Sequence, residues 1–217
     1  MTKIAILGAG KAGTSLARVA VEAGYQVDIA ASGSADRIGL IIEVLAPGAH
    51  PTTAAAAVEG AELVVLALPL HKFKRLDPSL LSGRIVLDIM NYWTPIDGEI
   101  TEFDDAPEGT SVLVQRSIPG ARVVKTLNHI GYHELEEQRR PPGSPDRVAL
   151  GAVGDDREAV GEVVAFLEGI GFDAIDGGPL ANGVAFQPGS PLFGAPYPAV
   201  RFQELLAEEL ERARIAA

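Results

Sequence analysis

The residues with the clearest chemical meaning form a glycine-rich turn, Gly8-Ala9-Gly10-Lys11-Ala12-Gly13, with the spacing G-x-G-x-x-G. An apolar run of strand length, residues 4–7, comes directly before it, and a helical pattern begins within it. In such a unit the first glycine permits a tight turn, the second lets the backbone approach a pyrophosphate, and the third lets the helix pack against the strand. The helix N-terminus then faces the phosphates. We therefore predict that all six residues bind a dinucleotide; a turn without a ligand is the alternative.

The segment after the second predicted strand bears on the choice between NAD and NADP. NAD needs a carboxylate there for the ribose 2′-OH, whereas the 2′-phosphate of NADP needs small polar groups and a cation. Ser32, Ser34 and Arg37 fit the 2′-phosphate. The rival carboxylate Asp28 lies in mid-strand, and Asp36 comes too late in the segment. NADP is therefore the predicted cofactor.

Three further loops follow predicted strands, and ligands of such sheets bind outside the carboxyl ends of the strands. In the first loop the predicted cofactor contacts are Leu68, Pro69 and His71. In the other two, the polar residues predicted to take part in catalysis are Tyr92, Asn128 and His129. Each of these polar residues could instead be a hydrogen-bonded loop residue.

Several kinds of chemistry have no residues to support them. No tyrosine is followed four residues later by a lysine, so the Tyr/Lys relay of short-chain dehydrogenases is missing. The chain has no cysteine, which excludes thiolate catalysis and Cys-ligated metals. His129 and His133 have a spacing of four, but Gly131 lies between them and no H-E-x-x-H pattern is present. We predict no metal site.

The charge and hydropathy of the chain limit the classes of partner that it is expected to bind. The formal net charge is -11, and an acidic surface repels phosphate backbones and anionic lipid, so we expect neither nucleic acid nor membrane as a partner. No apolar stretch reaches the roughly 18 residues needed to span a bilayer. The first predicted strand begins within the first four residues, which leaves no room for a signal peptide. We therefore expect a cytoplasmic protein whose partner is a small-molecule redox acceptor.

Apolar runs of strand length alternate with helical patterns along the whole chain, which predicts an α/β fold with a doubly wound, mostly parallel Rossmann sheet. A proline-rich stretch, residues 138–146, suggests a boundary between a Rossmann domain, residues 1–140, and a smaller C-terminal portion, residues 141–217, that completes the sheet and covers the acceptor site. The strands are predicted at 4–7, 26–31, 62–68, 84–90, 123–127, 148–153 and 172–175, and the helices at 11–22, 37–45, 54–58, 156–168 and 198–214.

The C-terminal portion contains two segments that suggest an interface. Residues 177–198 are rich in Gly and Pro and hold three aromatic residues, which is typical of a lid or of an exposed connector. The final helix has an apolar stripe, which docks either on the chain itself or on a second copy. Together they predict a homodimer. The stripe consists of Phe202, Leu205, Leu206 and Leu210.

Taken together, these residues resemble the NADPH-dependent reductases of coenzyme F420, the deazaflavin-linked NADP oxidoreductase family. The resemblance spans nearly the whole chain and implies dimer formation and hydride transfer between NADPH and coenzyme F420 or a similar flat conjugated acceptor. One difference is that Gly33 follows Ser32 where family members often have an arginine; here the arginine comes at Arg37. Besides the turn, the resemblance rests on Leu68-Pro69, Val124-Lys125-Thr126-Leu127-Asn128, Val153-Gly154-Asp155-Asp156 and Asp176-Gly177-Gly178-Pro179-Leu180.

Two other functions stay open at this stage. An NADPH-dependent imine or carbonyl reductase would need a proton donor, for which His129 or Tyr92 would have to serve. A non-catalytic NADP-binding sensor would use residues 177–198 to present a surface to a partner.

Overall fold

One eight-stranded sheet organises the computed structural model, which describes residues 1–104 and 106–216. The order across the sheet is β3-β2-β1-β4-β5-β6-β7-β8, and every neighbouring pair is parallel except β6 with β7. The first six strands thus have the Rossmann order, and the predicted fold class is confirmed. The strands are β1 Lys3–Leu7, β2 Gln26–Ala30, β3 His50–Thr52, β4 Leu63–Leu66, β5 Ile85–Asp88, β6 Arg122–Thr126, β7 Ala149–Gly154 and β8 Asp173–Asp176.

Helices cover both faces of this sheet, so its central strands are apolar on both sides, as in the fully buried β4. Side chains of α1, α2, α8 and α9 contribute to the core on one face. The core on the other face includes residues of α3, α4 and α7. The helices are α1 Lys11–Glu22, α2 Asp36–Leu45, α3 Ala54–Val58, α4 Leu70–Phe73, α5 Thr94–Asp97, α6 Thr101–Asp104, α7 Thr110–Ser117, α8 Glu134–Glu137, α9 Arg157–Gly169 and α10 Ala199–Ala216, with 3₁₀ helices at Pro78–Leu81 and Leu180–Phe186. No helix within the described residues is both long and apolar enough to cross a membrane.

The C-terminal portion continues the sheet. Strand β7 pairs with β6, and α10 and the 3₁₀ helix Leu180–Phe186 pack on β7 and β8, opposite α9. Phe202, Leu205 and Leu206 of the predicted stripe are buried there, so a single chain already covers the surface that suggested a dimer. The homodimer and the boundary at residue 140 stay predictions. Four large aliphatic side chains that are exposed instead lie on α2, namely Leu40, Ile41, Val44 and Leu45.

A buried ion pair joins β5 to β6 close to their carboxyl ends. Asp88 and Lys125 are neighbours in the sheet register, neither side chain is exposed, and Oδ2 and Nζ lie 3.5 Å apart. The Lys125 ammonium also donates to the carbonyl oxygen of Met90. The Asp88 carboxylate accepts from the Ser111 hydroxyl of α7 (2.6 Å) and from the Met90 amide (2.9 Å). Burial lowers the pKa of Lys125, and the charge of Asp88 opposes that shift.

Removing only the lysine of this pair should lower the free energy of unfolding. Lys125→Met leaves the Asp88 charge buried without its partner, and we expect a loss of about 3 kcal/mol in the free energy of unfolding. Adding Asp88→Asn removes that charge, so the double variant should recover part of the loss. Urea unfolding of both variants measures the difference. A Lys125→Met variant as stable as the unmodified protein, or a double variant less stable than the single one, would contradict the assignment.

Candidate active site

The glycine-rich turn is closely packed at two glycines and open at the one between them. Gly8 has φ +130°, and a Cβ built on it would lie 2.0 Å from the carbonyl oxygen of Ala67. A Cβ on Gly13 would lie 1.9 Å from the carbonyl oxygen of Gly8. At Gly10 no atom lies within 4 Å of such a Cβ, and Lys11 and Ala12 beside it are exposed. The turn therefore leaves space in front of α1.

That space suits a phosphate group. The backbone N–H groups of the first turn of a helix have no partner within the helix, and they carry a partial positive charge. The first turn of α1 contains no acidic residue, and no side chain caps the helix at Gly10. The residues present therefore fit the pyrophosphate of a dinucleotide.

The three residues predicted to hold a 2′-phosphate lie together after β2. Ser32, Ser34 and Arg37 are all exposed. The Arg37 side chain lies alongside the intervening glycine, because a Cβ on Gly33 would be 3.7 Å from its Cδ and 3.8 Å from its Nη1. The segment that follows β2 therefore carries two exposed serines and an exposed arginine whose side chain lies beside Gly33.

The carboxylate that could have indicated NAD is used elsewhere. The Asp28 side chain is nearly buried in the middle of β2, and its Oδ2 lies 2.9 Å from the Lys3 ammonium. Its Oδ1 lies 3.3 Å from Nδ1 of His50 on β3. Asp28 therefore joins three neighbouring strands, away from the carboxyl ends where the cofactor would bind.

The loop after β4 lies next to the glycine-rich turn. Leu68 and Pro69 are partly exposed, and Leu68 follows directly on the carbonyl that Gly8 contacts. His71 is held by Asp97, whose Oδ1 lies 2.8 Å from His71 Nδ1. The Asp97 carboxylate also accepts from the backbone N–H groups of His71 (3.0 Å) and Trp93 (2.9 Å). Burial raises the pKa of Asp97, but these hydrogen bonds outweigh burial and hold that pKa below its ordinary value.

A cavity of about 260 Å³ opens where the loops after β5 and β6 meet the start of α1. Phe193 and Gly194 of the segment 177–198 also line it, and the Gly194 amide donates to the carbonyl oxygen of His129 (2.8 Å). This segment is therefore packed over the loop after β6 and is not an exposed connector at this point. Other lining residues are Ala12, Ile89, Asn91, Asn128, His129 and Tyr132.

The loop after β6 begins with a strained turn. Leu127 has φ +59°, and among the described residues no other non-glycine residue has a positive φ. The Asn128 amide donates to the carbonyl oxygen of Thr126 (2.7 Å), which makes Leu127 the centre of a γ-turn that is rare in proteins. Such a conformation costs on the order of 1–3 kcal/mol and persists only where its surroundings impose it.

Hydrogen bonds of Asn128, one of the predicted catalytic residues, hold this strained turn in place. Its side-chain amide donates to Oδ1 of Asn91 (3.0 Å) and to the carbonyl oxygen of Phe186 (2.7 Å). Asn91 in turn donates to the carbonyl oxygen of Asn128 (2.8 Å). Both amide hydrogens of Asn128 are thus used inside the protein, so this residue joins the two loops. Asn91 keeps one amide hydrogen beyond that bond, a feature that the sequence did not single out.

His129 is a buried residue of the core. Its ring is stacked on Phe186 with 4.5 Å between centroids, and its Nε2 accepts from the Gly151 amide (3.1 Å). Burial, together with the charge of Lys125, lowers the pKa of His129 to about 3. The ring is therefore neutral near pH 7, with its proton on Nδ1. The proton-donor role considered for His129 is not supported by this geometry.

Tyr92, which was predicted to take part in catalysis, and Tyr132 differ in whether their side chains are available to a ligand. The Tyr92 hydroxyl accepts from the Ile100 amide (2.8 Å) and donates to the carbonyl oxygen of Gly98 (3.0 Å), so it fastens its own loop. Tyr132 was not predicted, but it lines the cavity, and the Lys11 ammonium lies 5.5 Å from the centre of its ring. Its only signal in the sequence is a weak one, its place directly after the loop Asn128–Gly131. Within the described residues, no group of three or more His, Cys, Asp or Glu could hold a metal ion.

The different surroundings of Gly10 and Gly13 give a matched pair of variants. Gly10→Asp should fold normally, because the position has space and aspartate is a favourable N-cap residue, whereas its charge and bulk should repel a pyrophosphate. We expect NADPH affinity to fall by at least about a hundredfold, or ~2.7 kcal/mol. Gly13→Ala should instead destabilise the fold, because its Cβ meets backbone.

Thermal unfolding and NADPH titration of the two variants separate these effects. Normal NADPH binding by a folded Gly10→Asp protein would show that the turn does not bind the pyrophosphate.

Comparison with known proteins agrees with this geometry. Residues 3–92 match the family described as NADP oxidoreductase, coenzyme F420-dependent. The chain is similar to a proposed F420-dependent NADP reductase of Arthrobacter sp. FB24, with 25% identity and a TM-score of 0.67 over 100% of this chain and 94% of that one. It is also similar to a hypothetical protein of Sinorhizobium meliloti, with 24% identity and a TM-score of 0.76 over 91% of this chain and 95% of that one.

More distant structures share the fold alone. An imine reductase of Aspergillus terreus has 18% identity and a TM-score of 0.58 over 83% of this chain, and the match covers only 56% of that enzyme. No curated protein matches the sequence. The resemblance inferred from the sequence is confirmed by the family match over residues 3–92, and with it the predicted enzyme class, an NADP-dependent oxidoreductase.

Proposed function

We propose that this chain transfers hydride between NADPH and a flat conjugated acceptor of the deazaflavin type, coenzyme F420 being the acceptor that the resemblance implies. The observation that carries the proposal is the position of the 260 Å³ cavity, which adjoins both the start of α1 and the carboxyl ends of β5 and β6. Ligands of doubly wound sheets bind at this edge. A dinucleotide whose pyrophosphate lies at Gly10 would extend its nicotinamide toward this cavity.

Each part of the cofactor has residues that suit it. The backbone amides of the turn Gly8–Gly13 would bind the pyrophosphate, and Ser32, Ser34 and Arg37 would bind the 2′-phosphate. Leu68 and Pro69, next to the turn, would contact the ribose beside the nicotinamide. When bound, the reduced nicotinamide supplies the hydride.

The cavity is suited to holding two flat rings in contact. Its lining is mostly apolar, with contributions from Ala12, Ile89 and Phe193. The side chains of Asn128 and His129 make hydrogen bonds within the protein, so they stiffen the walls of the cavity. A conjugated ring accepts hydride directly, and the task of the protein is then to orient the rings and to exclude water.

The competing functions have less support. The imine or carbonyl reductase considered above was to use His129 or Tyr92 as its proton donor, and both have polar atoms engaged inside the protein. A non-catalytic sensor does not explain a cavity that begins at the dinucleotide turn.

The cofactor preference can be measured directly. NADPH should bind at least about tenfold more tightly than NADH, near 1.4 kcal/mol, because a guanidinium and two hydroxyls lie after β2. Arg37→Glu should remove that preference. The control is Arg116→Glu, an exposed arginine of α7 that should leave both affinities unchanged. Equal affinities for the two cofactors in titrations of the unmodified protein would overturn the assignment.

The acceptor is tested by mixing the protein and NADPH with deazaflavin, flavin, quinone and imine acceptors while following NADPH absorbance. We expect the deazaflavin to be reduced fastest, because its ring accepts hydride without a proton relay aimed at a carbonyl. Gly10→Asp serves as the control that cannot hold the cofactor. Faster reduction of the imine than of any conjugated ring would favour the alternative function.

A further inference from the structure

The wall of the 260 Å³ cavity carries few polar side chains, and most of their hydrogen-bonding groups are used inside the protein. Asn128 donates one amide hydrogen to Asn91 and the other to the carbonyl oxygen of Phe186. Its Oδ1 lies 3.4 Å from Nδ1 of His129, and Nε2 of His129 accepts from the Gly151 amide. The donors of the Asn128 and His129 side chains are therefore occupied.

Asn91 is the exception, because one hydrogen of its side-chain amide is left over. The other hydrogen is donated to the carbonyl oxygen of Asn128 (2.8 Å), and Oδ1 of Asn91 accepts from the Asn128 amide (3.0 Å). In the part of the chain that the structure describes, the Asn91 side chain forms no further hydrogen bond. The residue is partly exposed and lines the cavity, so this donor is available to a ligand.

The orientation of the Asn91 amide is fixed by its partners. A carbonyl oxygen can only accept, so the bond to the Asn128 carbonyl must come from the nitrogen of Asn91. The Asn128 amide is fixed in the same way by its bond to the carbonyl oxygen of Phe186 (2.7 Å). Rotation of the Asn91 amide would break two hydrogen bonds at once. A donor held in this way does not need to reorganise during a reaction.

Tyr132, the other polar side chain of the cavity wall, is less constrained. Within the described residues its hydroxyl has no hydrogen-bond partner, and the contact of its ring is with the Lys11 ammonium, 5.5 Å from the ring centre. The hydroxyl hydrogen can therefore rotate about the C–O bond. Asn91 is thus the side-chain donor of the cavity whose direction the protein fixes.

The order of the strands places Asn91 beyond the residues that the proposed function assigns to the cofactor. The glycine-rich turn follows β1, and Leu68 and Pro69 follow β4, whereas Asn91 follows β5, the next strand across the sheet. If the pyrophosphate and the ribose occupy the first two loops, as the proposed function requires, Asn91 lies past the ribose. It is then among the cavity residues that are left for the two rings.

Hydride transfer to a conjugated ring creates a negative charge that such a donor can stabilise. The C–H bond of the dihydronicotinamide breaks, and its hydrogen and electron pair form a new bond on the acceptor. The electron pair of the attacked double bond moves to a carbonyl oxygen conjugated with it, and solvent later supplies a proton. The nicotinamide is thereby oxidised, and the acceptor is reduced by two electrons. A donor at this oxygen binds it more strongly in the transition state than in the ground state.

We propose that the remaining amide hydrogen of Asn91 donates to a ring carbonyl oxygen of the acceptor. This bond selects acceptors in which the hydride-receiving atom is conjugated with a carbonyl group. The inference rests on the proposed function and narrows its substrate class. Deazaflavins and flavins have such a carbonyl, whereas a simple imine and an N-methylacridinium ring do not.

Infrared difference spectroscopy detects this hydrogen bond without turnover. A deazaflavin labelled with carbon-13 at the conjugated carbonyl is added to the protein with oxidised NADP, so that no hydride is available. The carbonyl stretch of the bound deazaflavin should lie at a lower frequency than that of the free compound, and Asn91→Ala should return it toward the free value. Tyr132→Phe should leave it unchanged. A stretch that is the same in the unmodified protein and in Asn91→Ala, or that depends on Tyr132 instead, would overturn the proposal.

Thermal unfolding shows whether the Asn91→Ala protein is folded. If it is not, Asn91→Asp takes its place, because the carboxylate keeps the oxygen that accepts from Asn128 and lacks the N–H group. The same return of the carbonyl stretch is then expected.

Kinetics with two flat acceptors separates contact with the acceptor from a structural role. N-methylacridinium accepts hydride at a ring carbon but has no carbonyl. We expect Asn91→Ala to lower kcat for the deazaflavin about a hundredfold, to lower kcat for N-methylacridinium less than about threefold, and to keep NADPH affinity within about twofold. A purely structural role would slow both acceptors equally, and that result would contradict the proposal. If the unmodified protein does not reduce N-methylacridinium, the infrared shift decides.

Asn182→Ala is the matched control. It also removes a side-chain amide that donates to a loop carbonyl, that of Gly177 (2.7 Å), but Asn182 does not line the cavity. This variant should change neither rate and should leave the carbonyl stretch as it is in the unmodified protein.

The outcomes distinguish two failures. If the unmodified protein neither binds nor reduces any of the conjugated rings, the proposed function fails and this inference fails with it. If it reduces the deazaflavin and Asn91→Ala does so equally fast, the inference alone fails. A rate loss explained wholly by weaker NADPH binding would assign the amide hydrogen to the cofactor and would also overturn the proposal.

Discussion

The candidate site depends on the buried ion pair between Asp88 and Lys125. A lysine without exposed surface is tolerated only with an acceptor and a counter-charge, and the ends of β5 and β6 supply both. The pair lies just before the two loops that line the cavity. Fixing these strand ends allows the strained turn at Leu127 to persist, and that turn directs Asn128 toward Asn91. The charge of Lys125 also helps to keep His129 neutral.

A second feature of the site is that most of its polar side chains form hydrogen bonds with other groups of the protein. Asn128, His129 and the Tyr92 hydroxyl all have partners within the protein. Such engagement makes the walls rigid, which suits a reaction that depends on orientation. Among the described residues, the groups of the site available to a ligand are chiefly the amides of the glycine-rich turn and the side chain of Asn91. This also explains how an acidic protein can bind a phosphate-rich cofactor, since backbone dipoles act locally while net charge acts at long range.

The sequence predicted those parts of the structure that depend on local backbone chemistry. The turn could be predicted because its glycines are required by contacts with backbone atoms, as Gly8 with Ala67 and Gly13 with Gly8 show. The helix α9 begins one residue later than predicted because Asp156 caps it, its side chain accepting from the Ala159 amide. Strand β3 was missed because three residues that include a proline carry little signal.

The roles of the polar loop residues could not be predicted in the same way, because they depend on partners far away in sequence. His129 was predicted to take part in catalysis because it follows a strand, but it is buried against Gly151 and Phe186. The bond from His71 to Asp97 spans two loops, and nothing in the spacing of these residues indicates it. The apolar stripe of α10 could be read equally well as an interface or as core, and only the position of β7 and β8 decides for core.

Transfer of a labelled hydrogen distinguishes direct hydride transfer from other routes of NADPH oxidation. NADPH deuterated at the transferring carbon of its nicotinamide is incubated with the protein and a deazaflavin acceptor, and the reduced acceptor is analysed by mass spectrometry. We expect the deuterium of the transferred position to appear in the reduced ring, one atom for each NADPH oxidised, because the two rings are in contact in a site that excludes water. Deuterium released to the solvent, or an acceptor that stays unlabelled while NADPH is oxidised, would contradict direct hydride transfer.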